Sequence, residues 1–263
     1  MRTNHEIDYK IHGEELQFVE IELDPGETAI AESGAFMMMD NGIEMETIFG
    51  DGSQQQGGGF LGKLMSAGKR LITGESLFMT AFTNTGQGKK RVSFASPYTG
   101  KIIKFDLQEL GGKIIAQKDA FLCSAKGVSI GIEFQRRLGT GIFGGEGFIM
   151  QKLEGDGLAF AHAGGYVVER QLQPGEVLKV DTGCVVAYTP NVDFDIEMVK
   201  GIKNFMFGGE GLFFAKLTGP GHVWLQSLPI SRLAGRIMQY GTYKRKEEGG
   251  VLGGLGNLLD GRE

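Results

Sequence analysis

The sequence predicts an all-β protein of three tandem antiparallel β units, closed by a short C-terminal helix. Three observations predict it. Glycine is dense, 44 in 263 residues, while proline numbers only 6; glycines scattered among Val, Ile and Phe mark many tight turns, hence many short strands. Gln17 to Leu23 and Tyr166 to Leu172 alternate apolar with polar residues, the period of a strand with one wet face. Finally, three landmarks recur in one order, three times along the chain.

The first landmark is Leu23-Asp24-Pro25-Gly26-Glu27, echoed by Leu172-Gln173-Pro174-Gly175-Glu176; Gly34 and Gly183 follow at equal distance. Proline sets φ and glycine accepts φ > 0, so each predicts a turn between strands. Leu107-Gln108-Glu109-Leu110-Gly111-Gly112-Lys113 is a degenerate middle copy, in which Lys113-Ile114-Ile115-Ala116 aligns with Glu176-Val177-Leu178-Lys179. The second landmark is Gly144-Gly145-Glu146-Gly147, repeated as Gly208-Gly209-Glu210-Gly211 and foreshadowed by Thr73-Gly74-Glu75-Ser76-Leu77-Phe78-Met79. The third comprises Gly86-Gln87-Gly88, Gly155-Asp156-Gly157 and Gly219-Pro220-Gly221, placed where a hairpin would reverse. Three small antiparallel units therefore stack or pack around a pseudo-threefold.

These landmarks divide the chain into a first repeat over 1–100, a second over 101–165 and a third over 166–228. Glu27 to Glu75 spans 48 residues where Glu176 to Glu210 spans 34, so the first repeat carries an insertion. It centres on Asp51-Gly52-Ser53-Gln54-Gln55-Gln56-Gly57-Gly58-Gly59, too polar to bury anything, and predicts a surface loop. Ile230, Leu233, Ile237 and Tyr240 fall on one helical face, placing a helix within 229–243. A mobile tail over 244–263 follows.

Net charge is −5, which argues against DNA binding and disfavours RNA binding driven by bulk electrostatics. The N-terminus is polar and carries no apolar signal core, and no apolar run reaches the ~18 residues of a membrane span. Two cysteines, Cys123 and Cys184, make no framework, and a reducing cytoplasm is the expected setting.

The repeated landmarks Gly74-Glu75-Ser76-Leu77-Phe78-Met79, the two Gly-Gly-Glu-Gly segments and Pro174-Gly175-Glu176 resemble the family named after altered inheritance of mitochondria, in its uncharacterised bacterial branch. The likeness runs from about residue 6 to residue 240. What the resemblance implies is a TRAP-like fold, similar to the tryptophan RNA-binding attenuator protein, of the double-stranded β-helix or sandwich type. It also implies three such domains per chain and a homotrimer. The family carries no established biochemical activity. No basic motif recurs at one slot in all three copies, so the RNA-binding property of the fold's namesake is not expected to follow.

Catalytic and metal chemistry find little here. His5, His12, His162 and His222 have no partner at ligand spacing and do not repeat between copies, so no metal site and no cofactor are expected. Cys123 and Cys184 lie among apolar residues with no adjacent base, the setting of core packing. Gly57-Gly58-Gly59-Phe60-Leu61-Gly62 matches a dinucleotide fingerprint only in letters, because Gln54-Gln55-Gln56 stands where a strand is required. The candidate ligand-binding residues are the triplicated Glu75, Glu146 and Glu210, with the preceding bases Arg70, Arg137 and Lys203. Their plain role is to pair with a cation or cap backbone amides at a glycine bend; their sharper role is a binding ring about the axis. Mixed apolar and basic segments precede each glutamate: Phe60 to Met65, Leu138 to Phe143 and Ile202 to Phe207. They serve as inter-unit core or, exposed together, as a docking face.

The sequence thus points to a non-enzymatic, homo-oligomeric β scaffold of unknown biochemical function, presenting a symmetric surface to a protein or membrane partner. The alternative is a small-molecule binder with sites between units.

Overall fold

The computed structural model describes residues 7–32, 34–49, 78–136, 147–198, 213–238 and 240. It is all-β with one short helix over 230–238. A first strand, β1 (Asp8–His12), precedes three runs of six. The first run is β2 (Phe18–Leu23), β3 (Thr28–Glu32), β4 (Phe36–Met39), β5 (Ile43–Phe49), β6 (Phe78–Asn84) and β7 (Lys90–Ala95). The second is β8 (Gly100–Asp106), β9 (Lys113–Gln117), β10 (Phe121–Ala125), β11 (Ser129–Arg136), β12 (Phe148–Glu154) and β13 (Leu158–Gly164). The third is β14 (Val167–Leu172), β15 (Val177–Asp181), β16 (Val185–Tyr188), β17 (Asp193–Met198), β18 (Phe213–Thr218) and β19 (Gly221–Gln226).

In each run the sixth strand lies between the first and third, and the fifth lies between the fourth and second. Neighbouring runs share sheets: the second strand of one pairs with the third strand of the next, β3 with β10 and β9 with β16. Four antiparallel sheets result, ordered β1-β2-β7-β4, β5-β6-β3-β10-β13-β8, β11-β12-β9-β16-β19-β14 and β15-β18-β17. Three apolar cores fill the spaces between successive sheets. The two six-stranded sheets therefore have core on both faces. That is why β10 and β13 are buried at every position and read as apolar runs, without alternation.

The outer sheets keep the expected alternation where they are covered on one face only. In β2, Val19, Ile21 and Leu23 are fully buried while Phe18, Glu20 and Glu22 are half-buried. β14 departs from expectation: from Val168 to Gln171 it is exposed throughout, and among the described residues it is a sheet edge.

The Leu-x-Pro-Gly-Glu landmark is a self-closing turn. The Glu27 carboxylate accepts from the Asp24 N–H at 2.8 Å, and the Glu27 N–H donates to the Asp24 carbonyl at 2.9 Å. Glu176 repeats both bonds with Gln173 at 2.9 Å. Gly26 and Gly175 take φ of +87° and +77°, which no other residue adopts cheaply. The middle turn has one residue more between Leu107 and Lys113, closed by the Gly112 N–H on the Leu107 carbonyl at 2.7 Å. This corrects the alignment: Lys113 opens β9 as Val177 opens β15, one position later than the sequence pattern placed it.

The helical face expected from Ile230, Leu233, Ile237 and Tyr240 does not enter the core. Ile237 is 63 % exposed and Tyr240 77 %. The helix lies beyond the last strand, tied to the sheet by an Arg232–Asp181 ion pair at 3.0 Å. No helix among the described residues is long and apolar enough to cross a membrane.

Candidate functional site

Glu75, Glu146, Glu210, Arg70, Arg137 and Lys203 all lie outside the described residues, as do the glycine-rich insertion, the three apolar and basic segments and the tail. In chain order they belong to one recurring connection, from the fourth strand of a run to the fifth. The strands that border it are paired alike in each run, closing at Phe49 opposite Phe78, Arg136 opposite Phe148, and Met198 opposite Phe213.

Two seams join the runs. In the first, Cys123 lies opposite Ala31, Ser124 opposite Ile30 and Ala125 opposite Ala29. In the second, Ala187 lies opposite Ala116 and Tyr188 opposite Ile115. Matching each third strand through its sixth-strand partner puts Met38, Cys123 and Ala187 in one slot, since they face Ser93, Phe160 and Trp224. The slot is fully buried in β10 and β16, whereas Phe36, Met37, Met38 and Met39 of β4 are 39–48 % exposed. β15, matching β3 and β9, is likewise open, with Val177 and Lys179 exposed. Among the described residues β4 pairs only with β7 and β15 only with β18, so the sheets do not close within the chain.

The first seam also gathers polar groups that sequence reasoning missed. Glu32 ends β3 and faces the 3₁₀ turn Lys118–Ala120; burial, then the Asp119 carboxylate, raises its pKa to about 7 against the pull of Lys118. The same carboxylate and, first, burial push the Tyr98 phenol up to about 12. The Tyr98 ring meets His162 edge-on at 4.4 Å. His162, which has no partner at ligand spacing in the sequence, is 2 % exposed, its ring nitrogens meet no hydrogen-bond partner, and burial lowers its pKa to about 4. Its ring is therefore neutral at physiological pH. The one available signal was slot identity: Gln117 and Asp181 stand where Glu32 does, and Gln226 stands where His162 does. Gln226 shows what that slot does in the third run. Its amide donates to the Gly183 carbonyl at 2.8 Å and accepts from the Gly164 N–H at 2.8 Å, tying the second run to the third.

Burial raises the thiols of Cys123 and Cys184, so neither is a ready nucleophile. No group of three or more His, Cys, Asp or Glu side chains among the described residues could hold a metal ion. Among the described residues the arrangement joins strands and holds a half-buried, proton-binding carboxylate.

The family described as "Mitochondrial biogenesis AIM24" matches residues 9–228, nearly the whole strand-bearing chain. The chain belongs to the AIM24 family. An uncharacterised protein of Streptococcus pyogenes serotype M6 is 31% identical to this AIM24-family chain over 232 residues, covering 86% of it and 88% of the relative. A crystal structure of another Streptococcus pyogenes protein, a structural genomics target, superposes with a TM-score of 0.68 at 23% identity, covering 89% of this chain and 99% of that one. The latter shows a shared fold.

Proposed function

We propose that this AIM24-family protein is a non-enzymatic, homo-oligomeric β scaffold, a homotrimer of TRAP-like units in the bacterial cytoplasm, which presents a repeated surface to a protein or membrane partner. The observation that carries the reading is the sharing of sheets between successive six-strand runs. Sheet sharing fixes neighbouring runs in a common orientation, so the recurring fourth-to-fifth connections, with their glutamates and bases, issue from equivalent strand ends. Repetition of this kind suits wide-surface binding better than turnover, which needs an asymmetric group of catalytic side chains.

Light scattering of the purified full chain, followed by co-sedimentation with anionic and neutral liposomes at low and moderate salt, tests it. A trimer mass with salt-sensitive co-sedimentation, weakened by removing residues 244–263, is expected for a membrane-facing scaffold. A trimer indifferent to liposomes directs the search to protein partners. A monomer at micromolar concentration overturns the scaffold.

A second reading has its own observation. Half-buried Glu32 and Tyr98 and buried His162 at the first seam are polar side chains of the kind that line small-ligand sites between units. Thermal stabilisation by a small metabolite, abolished in His162→Ala, would favour it.

A further inference from the structure

We infer that the terminal helix is an interfacial anchor, which lays its apolar face on an anionic lipid surface. This rests on the membrane-facing reading above and names the element that makes the contact.

The helix over 230–238 is amphipathic. At 3.6 residues per turn, Ile230, Leu233, Ala234, Ile237 and Met238 share one arc, continued by Tyr240, while Ser231, Arg232 and Arg236 lie on the other. A helix on the surface of a domain ordinarily turns such an apolar arc toward the core. Here most of it is turned away. Leu233 and Ala234 are half-buried, but Ile230 is 39 % exposed, Ile237 63 %, Met238 72 % and Tyr240 77 %.

The polar bonds that hold the helix agree, because they come from its other side. Arg232 pairs with Asp181 at 3.0 Å and reaches the Ser227 carbonyl at 3.5 Å. Ser231 Oγ stands 3.4 Å from where a Cβ on Gly183 would be, so the hydroxyl side of the helix rests on the 3₁₀ turn Thr182–Cys184. The helix is thus fixed to the sheet through polar groups and offers its aliphatic side chains and tyrosine outward.

Charge selects the occupant. The chain carries a net charge of −5, yet from Ile230 to Lys246 its charged residues are all basic: Arg232, Arg236, Lys244, Arg245 and Lys246. Arg232 is held by Asp181, whereas Arg236 is exposed and makes no ion pair among the described residues. Exposed aliphatic side chains, a tyrosine and a basic run in an otherwise acidic protein complement an anionic bilayer surface. Aliphatic groups enter the acyl boundary, the phenol sits at headgroup level, and Lys and Arg meet the phosphates. The helix is not long and apolar enough to cross a membrane, so it lies in the interface plane. One short helix holds weakly, but copies presented by one oligomer act together.

Vesicle co-sedimentation of the full chain tests this, with mixed phosphatidylglycerol and phosphatidylcholine vesicles and with phosphatidylcholine alone. The double variant Ile237→Ser, Met238→Ser alters only exposed positions, so its thermal unfolding is expected to match the parent. Its affinity for the anionic vesicles is expected to fall about tenfold or more. Arg236→Gln is expected to lose a few-fold and to bind with a weaker salt dependence. Leu16→Ser, an exposed apolar position on the first run, is expected to change nothing. In Tyr240→Trp, the added emission is expected to shift blue on anionic vesicles and to be quenched by acyl-brominated lipid, over a constant background from Trp224, which is 5 % exposed. Anionic-vesicle binding that the double variant shares with the parent overturns the inference, while leaving the membrane-facing scaffold standing. Binding to neither kind of vesicle removes both. Equal binding to both kinds overturns the anionic assignment. An oligomer that dissociates in the double variant without vesicles would mean the apolar face packs on a second copy, and overturns the inference as well.

Discussion

β4 and β10 occupy the same place in two successive runs of strands, and they differ in everything that burial decides. β10, Phe121–Ala125, lies between β3 and β13 with core on both faces, and every residue is buried. β4, Phe36–Met39, has β7 on one side and, among the described residues, no strand on the other, and every residue is exposed. Both are apolar. Burial in this molecule is therefore decided by whether a neighbouring run supplies a second strand, and residue type alone does not reveal it. The same contrast separates β15 from β3 and β9.

The most forceful way to break the comparison is to place one charge in the common slot of each strand. Cys123→Arg puts a guanidinium where the side chain is fully buried and neighbours Ala31 and Phe160 across the strands. An uncompensated buried charge costs on the order of 3–5 kcal/mol, a large part of a domain's stability. Met38→Arg leaves the charge in water and is expected to cost less than about 0.5 kcal/mol in the isolated chain. Urea unfolding of both variants checks this; equal losses would mean that β4 is covered within the chain after all.

Gln226 and His162 extend the comparison to the sixth strands. Gln226→Ala removes the acceptor of the Gly164 N–H and the donor to the Gly183 carbonyl, both buried bonds. Leaving such groups unmet costs roughly 1–3 kcal/mol. His162→Gln installs the third run's residue in the second and is expected to be milder. Thermal unfolding at one pH ranks the two, and the reverse order would show that the slots have different jobs.

The sequence signals explain where the fold was legible. Period-two alternation over Gln17 to Leu23 survives as β2 because the first sheet is covered on one face. The two Leu-x-Pro-Gly-Glu turns survive because their hydrogen bonds are local. The one-residue offset in the middle copy was hidden, since Gly111-Gly112 lengthens a turn without changing the apolar run that follows. The helix was found from its one apolar face, but periodicity reports amphipathicity, not what lies opposite. Sheet sharing was invisible, because pairing of β3 with β10 joins residues some ninety positions apart and leaves no spacing rule. Of the candidate site, Glu75, Glu146 and Glu210 lie outside the described residues; the sequence did not point to Glu32, whose raised pKa comes from burial and then from the Asp119 carboxylate of the next run.

Glu32 and Gln117 sharpen the comparison of the two seams by pH. They occupy matching slots, yet only Glu32 titrates. Its folded pKa of about 7 lies above the unfolded value near 4.5, so the folded state holds the proton more tightly. The resulting penalty is absent below the unfolded value, grows between about pH 4.5 and 7, and is complete above that. Glu32→Gln, which copies Gln117, is expected to raise stability at pH 8 by on the order of 1–2 kcal/mol after solvent screening, and to change little at pH 4. Asp119, Lys118 and Tyr98 face the same junction and remain in the variant. Denaturant midpoints across pH 4–8 check it, and a parallel downward offset at every pH would assign Glu32 a hydrogen-bonding role instead.

The smallest effect belongs to Asp181, the third member of that slot, at the open end of the chain. Here no neighbouring run adjoins the slot among the described residues; Asp181 accepts from the Gly183 N–H at 2.9 Å and pairs with Arg232 of the terminal helix at 3.0 Å, with both side chains one-third to one-half exposed. An exposed ion pair is worth about 0–1 kcal/mol, so Arg232→Ala is expected to shift the global unfolding midpoint hardly at all. Its local consequence is larger, because the helix leaves Ile237 and Tyr240 in water and has little apolar packing to retain it. Amide exchange over 230–238 should accelerate several-fold in the variant while the strands keep their protection. Unchanged exchange would mean that the helix is held by Pro229 and its own first turn, and that the Arg232–Asp181 pair does not anchor it.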